Sequence, residues 1–225
     1  MDLPKITMTY FSSRLIVEYA KEHPIEWPSR ELADTVKDVR IPFSCIGAFF
    51  ELLKKKDGLF NQEEYIDYLL DTGRLDIEPY GFDGLMGLEA RIKRNFYPSA
   101  LDSLHVFALL VESGRFARCT LDTLEDVVSK VDLSVTSKEG VCLGIALRAG
   151  SLSAKRWAVH KKMHRGGYGN TEDVIEVPLS MDRPREPGNK RWYSVEDFEE
   201  VFKALDHREL SFEERLDLEL IASPF

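Results

Sequence analysis

The spacing of apolar residues along the chain changes from a helical period to a period of two. In "CIGAFFELLKKKDG" the apolar residues that lie three or four apart are Ile46, Phe49, Phe50 and Leu53. This spacing predicts a helix, and Gly58 is placed to end it. "EWPSRELADTVKDV" and "NQEEYIDYLLDTG" are typical of two more helices, capped by Ser29 and Asn61. We therefore expect a helical region over residues 1–78.

A stretch dense in glycine and proline follows the helical region. It reads "EPYGFDGLMGLEARIKRNFYP" and indicates a junction over residues 79–98. "SALDSLHVFALLVESG" then predicts an amphipathic helix that ends at Gly114. The residues of its apolar stripe are Leu101, Leu104, Ala108 and Val111.

Beyond this helix the pattern becomes that of a sheet. "VDLSV" alternates apolar and polar positions, "SKEG" is a turn in which Gly140 supplies a positive φ, and "VCLGIAL" is an unbroken apolar strand. An unbroken apolar strand is typical of the centre of a sheet, with both faces buried. "DVIEVPLSM" predicts a further strand, with Pro178 at its end or at a sheet edge. Residues 99–225 therefore predict a domain with a mixed sheet flanked by helices, and the fold class α+β.

Composition narrows the class of protein. The chain has 225 residues, 44% of them hydrophobic, which is enough for packed cores. Its longest apolar run has the length of a strand, and its first residues lack the pattern of a secretory signal. We therefore expect no membrane association and a cytoplasmic location. The three cysteines, Cys45, Cys119 and Cys142, are typical of reduced thiols in that compartment.

Positive charge is concentrated in one part of an acidic chain. The formal net charge is −9, yet no Asp or Glu occurs between Gly140 and Thr171. The cations of this basic window are Arg148, Lys155, Arg156, Lys161, Lys162 and Arg165. We expect a helix from Ala154 to about His164, and the segregation of charge indicates an anionic partner. We predict that this partner is nucleic acid, with an ordinary solvated face as the open alternative.

The order helix, strand, strand, basic helix, strand resembles the core of the restriction-endonuclease-like, or PD-(D/E)XK, superfamily over residues 99–181. The resemblance rests on "SKVDLSV", which supplies Asp132 at the first motif, and on "GIALRAG", which lies where an acid-x-Lys motif is expected. In that family the two acids hold a divalent metal, and the Lys positions water or stabilises charge on the phosphate. The helix that follows faces the nucleic acid with its cations.

The second motif departs from the family pattern. Its acid position is Ala146 and its Lys position is Arg148. An arginine stays protonated and cannot act as a base, although it can hold a phosphate through two hydrogen bonds. The resemblance implies Asp132 and Arg148 as catalytic residues, and Mg²⁺ bound by Asp132 and Glu112. Other acids that could complete the metal site are Glu125 and Asp126.

Each of these residues also has a structural interpretation. Asp132 is equally suited to capping the start of its strand, and Arg148 to pairing with a surface acid. Three functions therefore stay open. The first is a metal-dependent nuclease, and the second is the same fold binding nucleic acid without chemistry. The third is an interaction or assembly subunit, for example of a viral or defence assembly, which binds a protein partner through its helical region.

Overall fold

The structure, a computed structural model, describes residues 11–36, 41, 44–75, 81–121, 131–149, 174–179 and 188–206. The chain divides into two compact units. The helical unit holds the described residues from 11 to 105 together with 188–192. The sheet unit holds those from 106 to 179 together with 193–206. The division lies inside one helix, between His105 and Val106.

The helices of the described chain follow one another closely. They are α1 (Ser13–Glu22), α2 (Arg30–Asp34), α3 (Cys45–Lys56), α4 (Gln62–Asp71), α5 (Gly81–Arg91) and α6 (Tyr97–Glu112). A π-helical turn (Ile92–Phe96) joins α5 to α6. A 3₁₀ turn (Val195–Phe198) leads into a last helix over 199–206. None of the described helices is both long and apolar enough to cross a membrane.

Side-chain caps fix where the predicted helices begin. The Ser29 hydroxyl accepts a hydrogen bond from Leu32 N at 3.1 Å, and Asn61 forms a capping box with Glu64. Both caps confirm the sequence prediction. α3 ends one residue earlier than expected, because Asp57 instead of Gly58 takes the left-handed conformation, with φ 48°.

Four aromatic rings form the centre of the helical unit. Phe49, Phe60, Tyr65 and Tyr97 are almost wholly buried, with neighbouring ring centroids 4.6 to 6.2 Å apart. The Tyr97 hydroxyl donates to Phe60 O at 2.6 Å, and the Tyr65 hydroxyl donates to Cys45 O. Because both hydroxyls are satisfied, the rings can be buried without an unpaired polar group.

The stretch predicted as a junction is helical over residues 81–98. One of its glycines serves a helix contact, since a Cβ on Gly87 would lie 2.4 Å from Thr35 Oγ1 and 3.1 Å from Val36 Cγ1. Gly87 therefore lets α5 pack closely against the end of α2. The domain bounds 1–78, 79–98 and 99–225 stay predictions.

The sheet unit contains a four-stranded mixed sheet. Its strands β1 (Arg118–Thr120), β2 (Leu133–Thr136), β3 (Cys142–Ala149) and β4 (Val174–Leu179) lie side by side in that order. The pairs β1/β2 and β2/β3 are antiparallel, whereas β4 runs parallel to β3. The predicted hairpin is confirmed, with Gly140 at φ 89° in its turn. Within this sheet β3 is internal and β4, with Pro178, is at an edge, as the sequence predicts.

The core of the sheet unit joins one face of the sheet to two helices. The helical side chains are Val106, Phe107 and Leu110 from α6, and Val201, Phe202 and Leu205 from the last helix. The sheet contributes Leu133, Val135, Leu143, Ile145, Val177 and Leu179. Helices and a mixed sheet together make the fold α+β, as the period change along the sequence predicts.

Burial along β3 differs in part from expectation. Leu143 and Ile145 are 2% and 0% exposed, as predicted, whereas Val141 and Leu147 are only half-buried near the ends of the strand. Cys142 is exposed, so β3 is not buried on both faces over its whole length. Val111 is 49% exposed instead of buried, because it lies in the last turn of α6.

Most of the basic window lies outside the described residues. This applies to the predicted helix from Ala154 to about His164 and to Lys155, Arg156, Lys161, Lys162 and Arg165. Glu125 and Asp126 also lie outside them. Asp132, Arg148 and Glu112 lie within the described residues.

Candidate functional site

The face of the sheet that points away from the core, here called the outer face, carries the positions of the acid-x-Lys motif. Side chains alternate between the two faces along a strand, and Ile145 belongs to the core. Ala146 and Arg148 therefore belong to the outer face. Ala146 is in register with Glu176 on β4, and residues in register project to the same face. Glu176 thus stands beside the position where the family pattern expects an acid.

Asp132 immediately precedes β2 and is bonded to the neighbouring strand. Its Oδ2 accepts a hydrogen bond from Leu147 N at 2.6 Å, and its own backbone N donates to Ile145 O at 2.9 Å. A carboxylate that accepts from a backbone N–H forms a short, strong bond. Asp132 therefore ties the start of β2 to the end of β3, which is the structural interpretation of this residue. Its role as a metal ligand stays a prediction.

Arg148 is held at the end of β3 by several contacts. Its Nη1 donates to Leu147 O at 3.0 Å, and its Nε lies 3.9 Å from Glu176 Oε1. The Tyr193 hydroxyl donates to Arg148 O at 3.3 Å. The side chain keeps 26% of its surface exposed, so the guanidinium is oriented by the protein and still accessible. To hold a phosphate through two N–H groups, the guanidinium must give up its contact with Glu176.

Glu176 is the site residue that the sequence reasoning missed. Its side chain is 35% exposed, and the residue lies on β4 between the apolar residues Ile175 and Val177 of "VIEVPL". An acid inside a short apolar strand was the available signal. It could not be assigned to the motif from the sequence, because its proximity to Ala146 depends on the parallel register of β3 and β4.

The described residues do not assemble a metal centre. Glu112 is exposed at the C-terminal end of α6. Within the described ranges, no group of three or more His, Cys, Asp and Glu side chains is arranged to hold a metal ion. Mg²⁺ prefers near-octahedral coordination by oxygen, usually with one or two carboxylates. The acids that the outer face offers toward such a site are Asp132, already bonded to the backbone, and Glu176, next to Arg148.

The register of β3 and β4 fixes where the residues on either side of segment 150–173 lie. Ala149, the last residue of β3, is in register with Leu179, and Val174, the first residue of β4, is in register with Gly144. The residues that flank segment 150–173 therefore lie at opposite ends of the paired strands. Parallel neighbours require such a crossover connection.

These observations define an α+β protein whose mixed sheet carries Asp132, Arg148 and Glu176 at one end of β3. Comparisons with protein-family models, with curated proteins and with solved structures find no significant match for the chain.

Proposed function

We propose that the sheet unit binds the phosphate backbone of a nucleic acid and does not cleave it. The observation that carries the proposal is the position of Arg148, the first cation of the basic window. Arg148 is oriented and accessible at the end of β3, directly before a segment that is rich in Lys and Arg and contains no acid until Glu172. Such a cation, followed by five more, suits repeated contact with phosphates.

The element order supports a nuclease-like ancestry for this surface. Apart from the short strand β1, which follows α6 directly, the next elements are β2, the "SKEG" hairpin and β3. Asp132 immediately precedes β2, and Arg148 lies in β3 at the Lys position of the motif. The basic window and the parallel strand β4 come next. This is the order on which the resemblance to the restriction-endonuclease-like superfamily rests.

The chemistry of the motif favours binding over cleavage. Metal-dependent hydrolysis needs hard oxygen ligands around the ion, but Ala146 occupies the acid position. Arg148 cannot take a proton from water, whereas its planar guanidinium suits a phosphate. Glu176 neighbours Ala146, which stands at the acid position, but Glu176 also lies near Arg148. Arg148 competes with a metal cation for the Glu176 carboxylate.

The net charge of −9 sets the expected affinity. Each phosphate that a cation neutralises releases counterions, and log affinity on duplex DNA falls by about 0.9 per contact for each unit of log salt. With three or four contacts we expect a slope of about −3. The acidic remainder of the chain repels the same polymer, so binding should be easiest to detect at low salt.

The test is a salt titration of binding, followed by fluorescence anisotropy, on duplex DNA, single-stranded DNA and RNA of equal length. Replacing Lys155, Arg156 and Lys162 together by Ala should weaken binding and flatten the duplex slope by about two to three units. The matched control replaces Lys21, Lys54 and Lys55 of the helical unit by Ala. It removes the same charge and should keep the slope.

Two results would contradict the proposal. Absence of binding at low salt would favour the interaction or assembly subunit, in which the helical unit binds a protein partner. Cleavage of plasmid, single-stranded DNA or RNA with Mg²⁺ or Mn²⁺ that is lost in Asp132→Ala would instead establish a nuclease.

A further inference from the structure

Three polar side chains are buried together in the helical unit. Asp102 and His105 lie on α6, and Lys190 lies in the segment that returns to this unit. His105 is 3% exposed, and the side chains of Lys190 and Asp102 are 4% and 18% exposed. Because residues three apart on a helix are neighbours, Asp102 and His105 stand side by side.

The hydrogen bonds within this cluster are incomplete. Lys190 Nζ donates to Asp102 Oδ2 at 2.7 Å. The second carboxylate oxygen, Asp102 Oδ1, and the ring nitrogen His105 Nδ1 are both buried and have no hydrogen-bond partner among the described residues. A buried polar atom without a partner is costly, and most such atoms in native proteins are satisfied by protein or by ordered water.

The segment that carries Lys190 is firmly attached to the helical unit. Gly188 O accepts from Ile25 N at 3.0 Å, and Asn189 O accepts from Trp27 Nε1 at 2.9 Å. A Cβ on Gly188, whose φ is +73°, would lie 2.5 Å from Ala20 O, so only glycine fits there. These contacts fix the backbone position next to Lys190, so the three side chains form a defined site.

The surroundings exclude a charged occupant. The ring of Trp192 packs edge-on against His105, with centroids 4.8 Å apart, and Lys190 Nζ lies 5.7 Å from the Trp192 ring centroid. An added cation would meet the Lys190 ammonium, and an added anion would meet the Asp102 carboxylate. Burial first, and the charge of Lys190 second, lower the pKa of His105 to about 4, so its ring is neutral at pH 7.

We propose that Asp102, His105 and Lys190 bind one internal water molecule. The water donates one hydrogen to Asp102 Oδ1 and the other to His105 Nδ1, and it accepts from a second N–H of Lys190. This matches the ordinary number of hydrogen bonds of a buried water. His105 then carries its proton on Nε2. The inference is independent of nucleic-acid binding by the sheet unit.

The first measurement is a high-resolution crystal structure of the full chain. We expect one water within hydrogen-bond distance of Asp102 Oδ1, His105 Nδ1 and Lys190 Nζ. Nitrogen-15 NMR of His105 should show an unprotonated Nδ1 and a protonated Nε2 at pH 7. A direct hydrogen bond between Asp102 and His105, or an enclosed cluster without water density, would overturn the proposal.

The second measurement counts long-lived waters by magnetic relaxation dispersion. The variant Asp102→Leu/His105→Phe/Lys190→Met should contain one fewer than the wild type. The control is Ser103→Ala, which removes from the same helix a hydroxyl that already donates to Ser99 O at 3.2 Å, and it should leave the count unchanged. An equal count in the wild type and the triple variant would also overturn the proposal. If the triple variant does not fold, the wild-type crystal structure and NMR still decide.

Discussion

One ion pair of the helical unit and one ion pair of the sheet unit differ in how far they are removed from water. In the helical unit, Lys190 and Asp102 form a 2.7 Å ion pair that is largely removed from water. In the sheet unit, Arg148 and Glu176 are 3.9 Å apart, and each keeps a quarter or more of its side-chain surface exposed. A buried pair is strong but costly to break, whereas an exposed pair is worth little and exchanges easily.

This difference separates stability from function. The charges of Lys190 and Asp102 are buried against each other, so changes to this pair should alter the free energy of unfolding. Arg148 and Glu176 on the outer face of the sheet are partly exposed, so changes to them should alter ligand binding more than folding. Variants in both units test this separation.

The largest effect is expected in the core of the sheet unit, where polar groups play no part. Ile145 is 0% exposed in the internal strand β3, so Ile145→Ala should reduce the free energy of unfolding by about 2 to 5 kcal/mol, measured by chemical denaturation. The control on the same strand is Cys142→Ala, at an exposed position, which should cost less than about 0.5 kcal/mol. A loss below about 1 kcal/mol for Ile145→Ala would mean that β3 is not packed as described.

The next largest effect concerns the buried ion pair. Lys190→Met leaves the Asp102 carboxylate buried without its partner, and we expect a loss of about 3 kcal/mol in the free energy of unfolding. This expected loss is at the low end for such pairs for two reasons. The Asp102 side chain keeps 18% of its surface exposed. Its partial removal from water also raises the pKa of Asp102, which lets the carboxylate take up a proton.

A double variant distinguishes pairing from packing. Asp102→Asn together with Lys190→Met removes both charges, and most of the stability lost in Lys190→Met should return. Equal losses in the single and the double variant would show that Lys190 acts through packing against Trp192 instead of through its charge.

The third prediction concerns pH. The unfolded chain binds a proton at His105 below about pH 6.5, whereas the folded chain holds the ring neutral down to about pH 4. The unfolded state therefore binds more protons between these values, and stability falls as the pH is lowered. Relative to His105→Phe, the wild type should lose about 2 kcal/mol between pH 7 and pH 5 in chemical denaturation.

The groups that face His105 set the control for this measurement. They are Lys190, Trp192 and Asp102, the last with a raised pKa that favours the folded state toward low pH. His105→Phe retains all three, so their contribution cancels to first order in the comparison. An identical pH dependence in the two proteins would mean that His105 takes up its proton at the same pH in the folded and the unfolded chain.

The elements that the sequence predicted well are those fixed by local chemistry. Ser29 and Asn61 cap helices because their side chains bond to nearby backbone N–H groups, and Gly140 forms a turn because of its positive φ. β1 was missed, since three residues with mixed exposure carry no clear period. The helical stretch over 81–96 was missed because glycines usually interrupt helices. The close contact of Gly87 with Thr35 explains why a glycine stands there.

The candidate site was harder to predict than the fold. Asp132 and Arg148 could be named from their positions next to predicted strands. The proximity of Glu176 to Ala146 depends on the register of two parallel strands, which the sequence does not specify locally. The cluster joins Lys190 to Asp102 and His105 of α6, with 88 positions between Asp102 and Lys190, so only the tertiary structure reveals it.

The smallest effect is expected at Asp132, where the structural and catalytic interpretations differ most. If its main task is to accept the hydrogen bond from Leu147 N, Asp132→Ala should cost about 1 to 2 kcal/mol in the free energy of unfolding. Asp132→Asn should recover part of this loss, since an amide oxygen also accepts from a backbone N–H but is a poor ligand for Mg²⁺. A loss below about 0.5 kcal/mol, joined to the disappearance of metal-dependent cleavage in both variants, would place Asp132 with the metal and extend the separation of stability from function to this residue.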